Sequence, residues 1–314
     1  MRKIKGTILA AEPLTDRIKA LRICAAEGAV LPDYTPGSHV EFDLPDGGTR
    51  AYSLISFDAK FDNPDHYLVA VQLEGEGQGG SKFMHTLGVG DAISFTGPKN
   101  DFPLNIDVPA VLLAGGIGIT PMISMASALV AAQQDVKLIF AGRTEADMAY
   151  RTALQNALGD RVTLHFDALS GVINLDAIIS DLESADLYVC GPRQMIDAVR
   201  TKAEVAGIAP GRIHFELFSA PTPSGEDTPF EVQINDGTVF TIPAGRSIID
   251  VLEENDVDVM YDCQRGDCGI CQCDVLEGVP DHRDVVLTQA ERDAGDVMQI
   301  CVSRAKTPRL VLDI

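Results

Sequence analysis

Five of the seven cysteines fall in the last fifth of the chain: Cys263, Cys268, Cys271, Cys273 and Cys301. Four of them follow the pattern Cys263-x4-Cys268-x2-Cys271-x29-Cys301. A C-x4-C-x2-C run with a distant fourth Cys is the spacing of plant-type [2Fe–2S] sites. Two irons and two sulfides carry net positive charge, which four thiolates neutralise. Three ligands on one tight loop need small residues between them, so that backbone amides can point at the sulfurs; Gly266 and Gly269 supply them. The competing reading is structural zinc, which also takes four thiolates but favours paired Cys-x2-Cys knuckles; only one such step is present. No Cys-x-His pair occurs, which argues against a Rieske centre. Cys273 reads as a buried apolar thiol rather than a fifth ligand. Cys24 and Cys190 stand alone.

A second constellation is glycine-rich. Leu112-Leu-Ala-Gly-Gly-Ile-Gly-Ile-Thr-Pro121 reads as a strand, a turn and a helix start. Glycines let backbone approach a pyrophosphate, and a helix N-terminus favours its negative charge. The spacing is not G-x-G-x-x-G, so the simplest dinucleotide fingerprint is absent. The same run also serves as a plain tight connection. Cys190-Gly191-Pro192 ends a later strand, and ligands of parallel sheets bind beyond the carboxyl ends of strands.

The elements that must position these groups fall into three regimes. Residues 1 to about 100 hold short alternating stretches (4–8, 20–23, 39–44, 66–73, 91–95) between turn residues, which predicts a small antiparallel barrel. From residue 109, apolar strands at 111–114, 136–141, 162–166 and 186–190 alternate with helical stretches at 122–133, 148–158, 175–182 and 194–206. That alternation predicts a parallel sheet covered on both faces. Residues 219–228 have no apolar period and read as a linker. Beyond it, 230–234 and 238–242 form a hairpin across Asn235-Asp-Gly237, and Ser247 caps a helix over 248–255.

Length and composition set the outer bounds. The 314 residues suggest two or three domains, and 46% hydrophobic with 23% charged residues is an ordinary globular composition. A net charge of −21 argues against nucleic acid as partner. No run approaches the ~18 apolar residues of a membrane span. The N-terminus does not read as a signal peptide, so a reducing cytoplasm is expected, where thiols bind metal rather than pair. Residues 229–314 hold 17 Asp and Glu against 7 Lys and Arg, a net of −10.

Arg50-Ala-Tyr-Ser-Leu54 resembles the flavin-binding R-x-Y-S-L motif of the ferredoxin-reductase superfamily. Gly115-Gly-Ile-Gly-Ile-Thr-Pro121 resembles its nicotinamide-binding G-G-x-G-x-T-P segment, and Cys190-Gly191-Pro192 its C-G-P turn. The order flavin domain, nicotinamide domain, C-terminal plant-type ferredoxin resembles the phthalate dioxygenase reductase family. Gly97-Pro-Lys-Asn-Asp-Phe-Pro-Leu104 is similar to that family's inter-domain segment. The resemblance covers essentially the whole chain.

The resemblance implies a multi-domain fold: an antiparallel β-barrel over 1–102, an α/β parallel-sheet domain over 103–218, a linker over 219–229 and an α+β β-grasp ferredoxin domain over 230–314. It implies FMN, with Arg50 on the phosphate, Tyr52 along the isoalloxazine, Ser53 near flavin N5 and Leu54 completing the motif. Gly79-Gly80-Ser81 resembles the second phosphate-binding turn. Gly115, Gly116, Gly118, Gly191 and Pro192 would hold the dinucleotide, while Thr120 and Cys190 would line the nicotinamide. Phe218 falls where the family often carries an aromatic near the flavin. Both Cys190 and Phe218 also read as core residues.

Arg143 follows the strand beside which an adenosine ribose would rest. An Arg there suits a 2′-phosphate, but Glu145 and Asp147 would repel one, so NADH is the expected donor. Cys263, Cys268, Cys271 and Cys301 would ligate the cluster. The implied activity is passage of electrons from NADH through FMN and [2Fe–2S] to a terminal oxygenase, expected to be of Rieske non-haem iron type and to dock transiently. The acidic C-terminal segment suits such docking on a basic patch, and equally suits plain solubility. Alternatives are another acceptor (a diiron monooxygenase or a separate ferredoxin) and a redox-sensing iron–sulfur binding protein.

Overall fold

The computed structural model describes residues 3–27, 29–75, 79–218 and 227–314. They form two compact units, Met1–Glu216 and Leu217–Ile314. The first opens with strands β1 (Ile4–Pro13), β2 (Ile18–Ala25), β3 (His39–Asp43), β4 (Thr49–Ser53) and β5 (Tyr67–Gln72). Helix α1 (Gly80–Thr86) and strand β6 (Ala92–Lys99) follow. These strands make one antiparallel sheet in the order β4-β3-β6-β1-β2-β5. Its two end strands meet again, and Ile55 N–H donates to Leu68 O at 2.9 Å, so the sheet curls into a barrel. Inward apolar residues at period two fill it, among them Ile8, Leu21, Ile23, Val40, Phe42, Val69 and Phe95.

The same unit continues with β7 (Ala110–Gly115), α2 (Ile119–Ala131), β8 (Val136–Gly142), α3 (Arg151–Leu158) and β9 (Val162–Phe166). Next come α4 (Asp167–Ser170), α5 (Leu175–Ser180), β10 (Asp186–Cys190), α6 (Arg193–Val205) and β11 (Ile213–Glu216). The five strands are parallel in the order β11-β10-β7-β8-β9. Strand order therefore reverses between β7 and β10, which opens a crevice beyond their carboxyl ends. The helix expected over 148–158 starts only at Arg151, because Tyr150 sits at φ +62, outside the helical region.

Barrel and parallel sheet share a core: Ile18, Ile55, Ala70 and Phe102 pack with Leu112, Met122, Ile123 and Tyr188. Ser124 on α2 donates to Leu54 O at 2.7 Å and accepts from Ser56 N at 2.9 Å. Ser127 donates to Ser56 O at 2.8 Å. The helix that leaves the glycine turn is thus fixed to the segment that leaves β4.

The second unit contains β12 (Phe230–Gln233), β13 (Val239–Ile242), α7 (Ile248–Glu254), β14 (Gln272–Glu277) and β15 (Pro280–Asp281). It ends with α8 (Gln289–Ala294), β16 (Val297–Gln299), β17 (Arg304–Ala305) and β18 (Arg309–Leu312). Its mixed sheet runs β13-β12-β18-β14-β16, with β12 and β18 parallel. Ser247 and Asp250 cap α7 reciprocally, a full capping box. Ile248, Ile249 and Leu252 carry its apolar face into the core with Val232 and Leu310.

Two boundary expectations shift. Leu217 and Phe218, expected to close the nicotinamide domain, group with the second unit, where Leu217 N–H donates to Asp267 Oδ2 at 2.9 Å. The end of the expected linker is not free: Asp227 takes a two-pronged ion pair from Arg283, at 2.8 and 3.2 Å, and Thr228 O accepts from Arg304. The rest of that linker, 219–226, lies outside the described residues.

Candidate functional site

The four spaced thiols come together in the second unit. Cys263 is in hydrogen-bond contact with Cys268 and Cys301, and Cys271 with Cys301. The four sulfurs are therefore neighbours. Among the described residues, no three His, Cys, Asp or Glu groups are arranged to hold one ion. Cys268 and Cys301 hold the Cys263 thiol below its ordinary value, while their own thiols are pushed up by Cys263 in return, as expected where thiols crowd together. Arg265 N–H donates to Cys263 Sγ at 3.3 Å, as the small-residue loop was expected to allow. Gly266 and Gly269 have φ +82 and +78, which only glycine adopts at low cost. Cys273 lies on β14 opposite Met298, and burial pushes its thiol up to about 12. These residues fit a [2Fe–2S] cluster.

The glycine turn sits at the β7/β10 crevice. A methyl on Gly118 would overlap the carbonyl oxygen of Cys190, and one on Gly115 would fall 2.7 Å from Pro192 Cδ. Gly191 in turn faces the backbone of Gly115 at 3.0 Å. These three glycines are small where the two loops pack against each other. Gly116 differs: it has φ +55 and open space where a side chain would stand. Backbone is bare there for a phosphate to approach.

Thr120 is buried and donates to Ile117 O at 3.1 Å, closing the turn. Cys190 is fully buried in the shared core, and Pro192 is exposed. Opposite Cys190 on β11 stands Glu216, a buried carboxylate. Sequence reading passed over it, because in His214-Phe-Glu-Leu-Phe218 it looks like the polar alternate of a strand. Arg143 is exposed after β8. Of the acids beside it, Glu145 pairs with Arg151 at 2.5 Å, and Asp147 accepts from the Thr144 hydroxyl at 2.6 Å.

Strand β4 displays Arg50 and Tyr52 on one face, with Ser53 and Leu54 buried. Gly80 lies against Arg50: a methyl there would fall 2.7 Å from Cγ and 3.1 Å from Nε. Arg50 and the Gly79-Gly80-Ser81 turn, far apart in sequence, are therefore neighbours. Gly79 has φ +92 and open space beside it, and Ser81 Oγ accepts from Glu74 N–H at 3.0 Å, leaving its own proton to give. A guanidinium, a hydroxyl and bare backbone fit a phosphate dianion. Tyr52 packs on Phe42, with ring centres 5.9 Å apart. Burial pushes its phenol up to about 12, against the pull of Arg50. Phe218, in the second unit, is 41% exposed.

Residues 232–306 match the model of the 2Fe-2S iron-sulfur cluster binding domain, and residues 112–201 that of the oxidoreductase NAD-binding domain. The chain is 37% identical to the vanillate O-demethylase oxidoreductase of Pseudomonas sp. strain HR199, over 99% of this chain and 100% of that protein. It is 36% identical to the phthalate dioxygenase reductase of Burkholderia cepacia, over 98% and 96%. The solved structure of a phthalate dioxygenase reductase, described as modular for electron transfer from pyridine nucleotides to [2Fe-2S], superposes with a TM-score of 0.74. That match has 33% identity and covers 99% of this chain and 98% of that one.

Proposed function

The chain belongs to the phthalate dioxygenase reductase family, and on that footing we propose that it is the reductase of an oxygenase system, using NADH, FMN and a [2Fe–2S] cluster to serve a Rieske-type terminal oxygenase. It is an electron-transfer oxidoreductase with an NAD-binding and a 2Fe-2S domain. The observation that carries the reading is the gathering of four thiols in a chain that also presents bare backbone at a parallel-sheet crevice.

Bound in place, the flavin supplies hydride acceptance and the cluster one-electron transfer; the protein supplies position. Arg50, Ser81 and the backbone of Gly79 and Gly80 hold the FMN phosphate. Tyr52, kept neutral by burial, offers its ring to the isoalloxazine, with Ser53 and Leu54 beside it. Gly116 admits the dinucleotide phosphates, while Gly115, Gly118, Gly191 and Pro192 keep the two loops flush and Thr120 closes the turn. Cys190 and Phe218 are assigned to the nicotinamide and flavin surroundings. Cys263, Cys268, Cys271 and Cys301 hold the cluster. The flavin work belongs to residues 1–102, the nicotinamide work to 103–216 and the cluster to 230–314, with Leu217 and Phe218 on the cluster side. No helix among the described residues is long and apolar enough to cross a membrane; the reaction is assigned to the cytoplasm, where NADH is supplied.

The test is coupled turnover: NADH, the purified chain and candidate oxygenases, with hydroxylated or demethylated product measured. Product dependent on all three components is expected. Absence of flavin, or zinc in place of iron and sulfide, sinks the reading. The kcat/KM ratio for NADH against NADPH decides the donor, because Glu145 and Asp147 disfavour a 2′-phosphate near Arg143. A preference for NADPH overturns that assignment. Rapid NADH-dependent reduction of cytochrome c excludes a sensor that needs no turnover.

A further inference from the structure

Asp284 has a buried side chain in the second unit, and no motif marks it. Its Oδ2 accepts from the backbone of Val286 at 3.0 Å and of Leu287 at 2.9 Å. Arg292, on α8, donates to the same oxygen at 3.2 Å, to Asp284 O at 2.7 Å and to Leu287 O at 3.1 Å. Burial outweighs nearby Asp284 and holds the His282 ring below its usual range, and Arg292 and Lys306 push the same way. His282 Nδ1 stands 3.9 Å from Asp284 Oδ1, beyond hydrogen-bond length. The ring is neutral at pH 7, so Arg292 is the cation that balances this buried carboxylate.

The segment folded by this pair lies along the cysteine loop. Val285 N–H donates to Gly266 O at 2.8 Å. A methyl on Gly266 would fall 2.9 Å from Asp284 Cα and 2.7 Å from Val302 Cγ2, next to Cys301. A methyl on Gly269 would fall 3.4 Å from Val286 Cγ1. Residues 284–286 therefore touch the loop on both sides of Cys268, at Gly266 and Gly269. We infer that Asp284, locked by Arg292, is a positioning residue for the cluster loop: it shapes the backbone against which Cys263, Cys268 and Cys271 are held. This rests on the cluster reading above. It adds ligand-orienting residues 13 and more positions beyond the nearest loop cysteine.

The experiment uses the full holo-protein. Iron and sulfide content, the EPR spectrum of the reduced cluster and the half-time of cluster loss to a chelator are compared for wild type, Asp284→Ala, Asp284→Asn and Arg292→Lys. Removing a group that orients metal ligands costs about 10–100-fold in metal retention. Asp284→Ala is expected to lose its cluster at least about tenfold faster, with altered g values in what remains. Asp284→Asn keeps an acceptor for the two amides and is expected to lie between. If Asp284→Ala fails to assemble, Asp284→Asn and Arg292→Lys decide. Wild-type spectra and half-times in all surviving variants overturn the inference, even where overall stability drops. Wild-type protein without iron and sulfide sinks the cluster reading, and the positioning role with it; an unchanged variant spectrum sinks the positioning role alone.

Discussion

The hydroxyl of Ser124 is buried between two backbone groups of the flavin segment: it donates to Leu54 O at 2.7 Å and accepts from Ser56 N at 2.9 Å. Ser124 is one turn into the helix that follows the glycine turn. One side chain thus couples the expected flavin motif to the expected nicotinamide loop.

Ser124→Ala leaves a buried carbonyl and a buried amide without their partner, a loss of about 1–3 kcal/mol. We expect the first unit to unfold at lower denaturant, read by release of flavin fluorescence, and NADH-driven flavin reduction to slow. An unchanged midpoint would show that water replaces the hydroxyl without cost.

Gly118→Ala and Gly116→Ala separate the two jobs of the glycine turn. The methyl at 118 meets Cys190 O, so the loops must part, and a cost of roughly 1–3 kcal/mol is expected from forced overpacking. The methyl at 116 meets nothing, and its cost is the left-handed backbone, about 1–2 kcal/mol. Gly116→Ala should therefore raise KM for NADH out of proportion to its small effect on melting. Gly118→Ala should lower NADH affinity and melting temperature together. Equal profiles for the two variants would refute the distinction.

Cysteine substitution sorts ligands from bystanders. Cys301→Ser is expected to abolish stoichiometric iron and sulfide while flavin content stays at the wild-type level. Cys273→Ser should keep both, because that thiol is held protonated, near 12, by burial. Iron loss in Cys273→Ser would make it a ligand and unseat one of the other four.

The histidine at 282 fixes the sign of an acid effect. Its folded value lies below the ordinary imidazole value of about 6.5, so the unfolded chain takes up its proton first. Its contribution to the stability of the second unit is full above about pH 6.5 and declines as pH falls, levelling once the folded ring also protonates. Denaturation midpoints at pH 7.5, 6 and 5 should show this slope in wild type and a shallower one in His282→Gln. Parallel slopes would assign the acid effect to other groups.

Local features were the ones legible in the sequence. Cysteine spacing on one loop, a glycine turn after an apolar strand and the Ser247 cap are each set within a few residues; the turn and the cap stand in the structure, and the four thiols come together there. Contacts made across the fold were not legible. Gly118 is small because of Cys190, 72 positions later, and Ser124 matters because of Leu54, 70 positions earlier. Asp284 shapes the loop around Cys268 without any residue pattern to announce it. Strand β4 was hidden because Thr49–Ser53 lacks an apolar alternation: the half-buried positions are Arg50 and Tyr52, and the one buried residue is Ser53. The late start of α3 turns on a single left-handed residue, Tyr150, which propensity does not foresee.

Strand β18 is the last element to be synthesised among those described, yet it lies in the middle of its sheet, bonded to β12 on one side and β14 on the other. β12 and β14 are not paired with each other, so the two halves of the sheet that carries the cysteine loop are joined through residues 309–312.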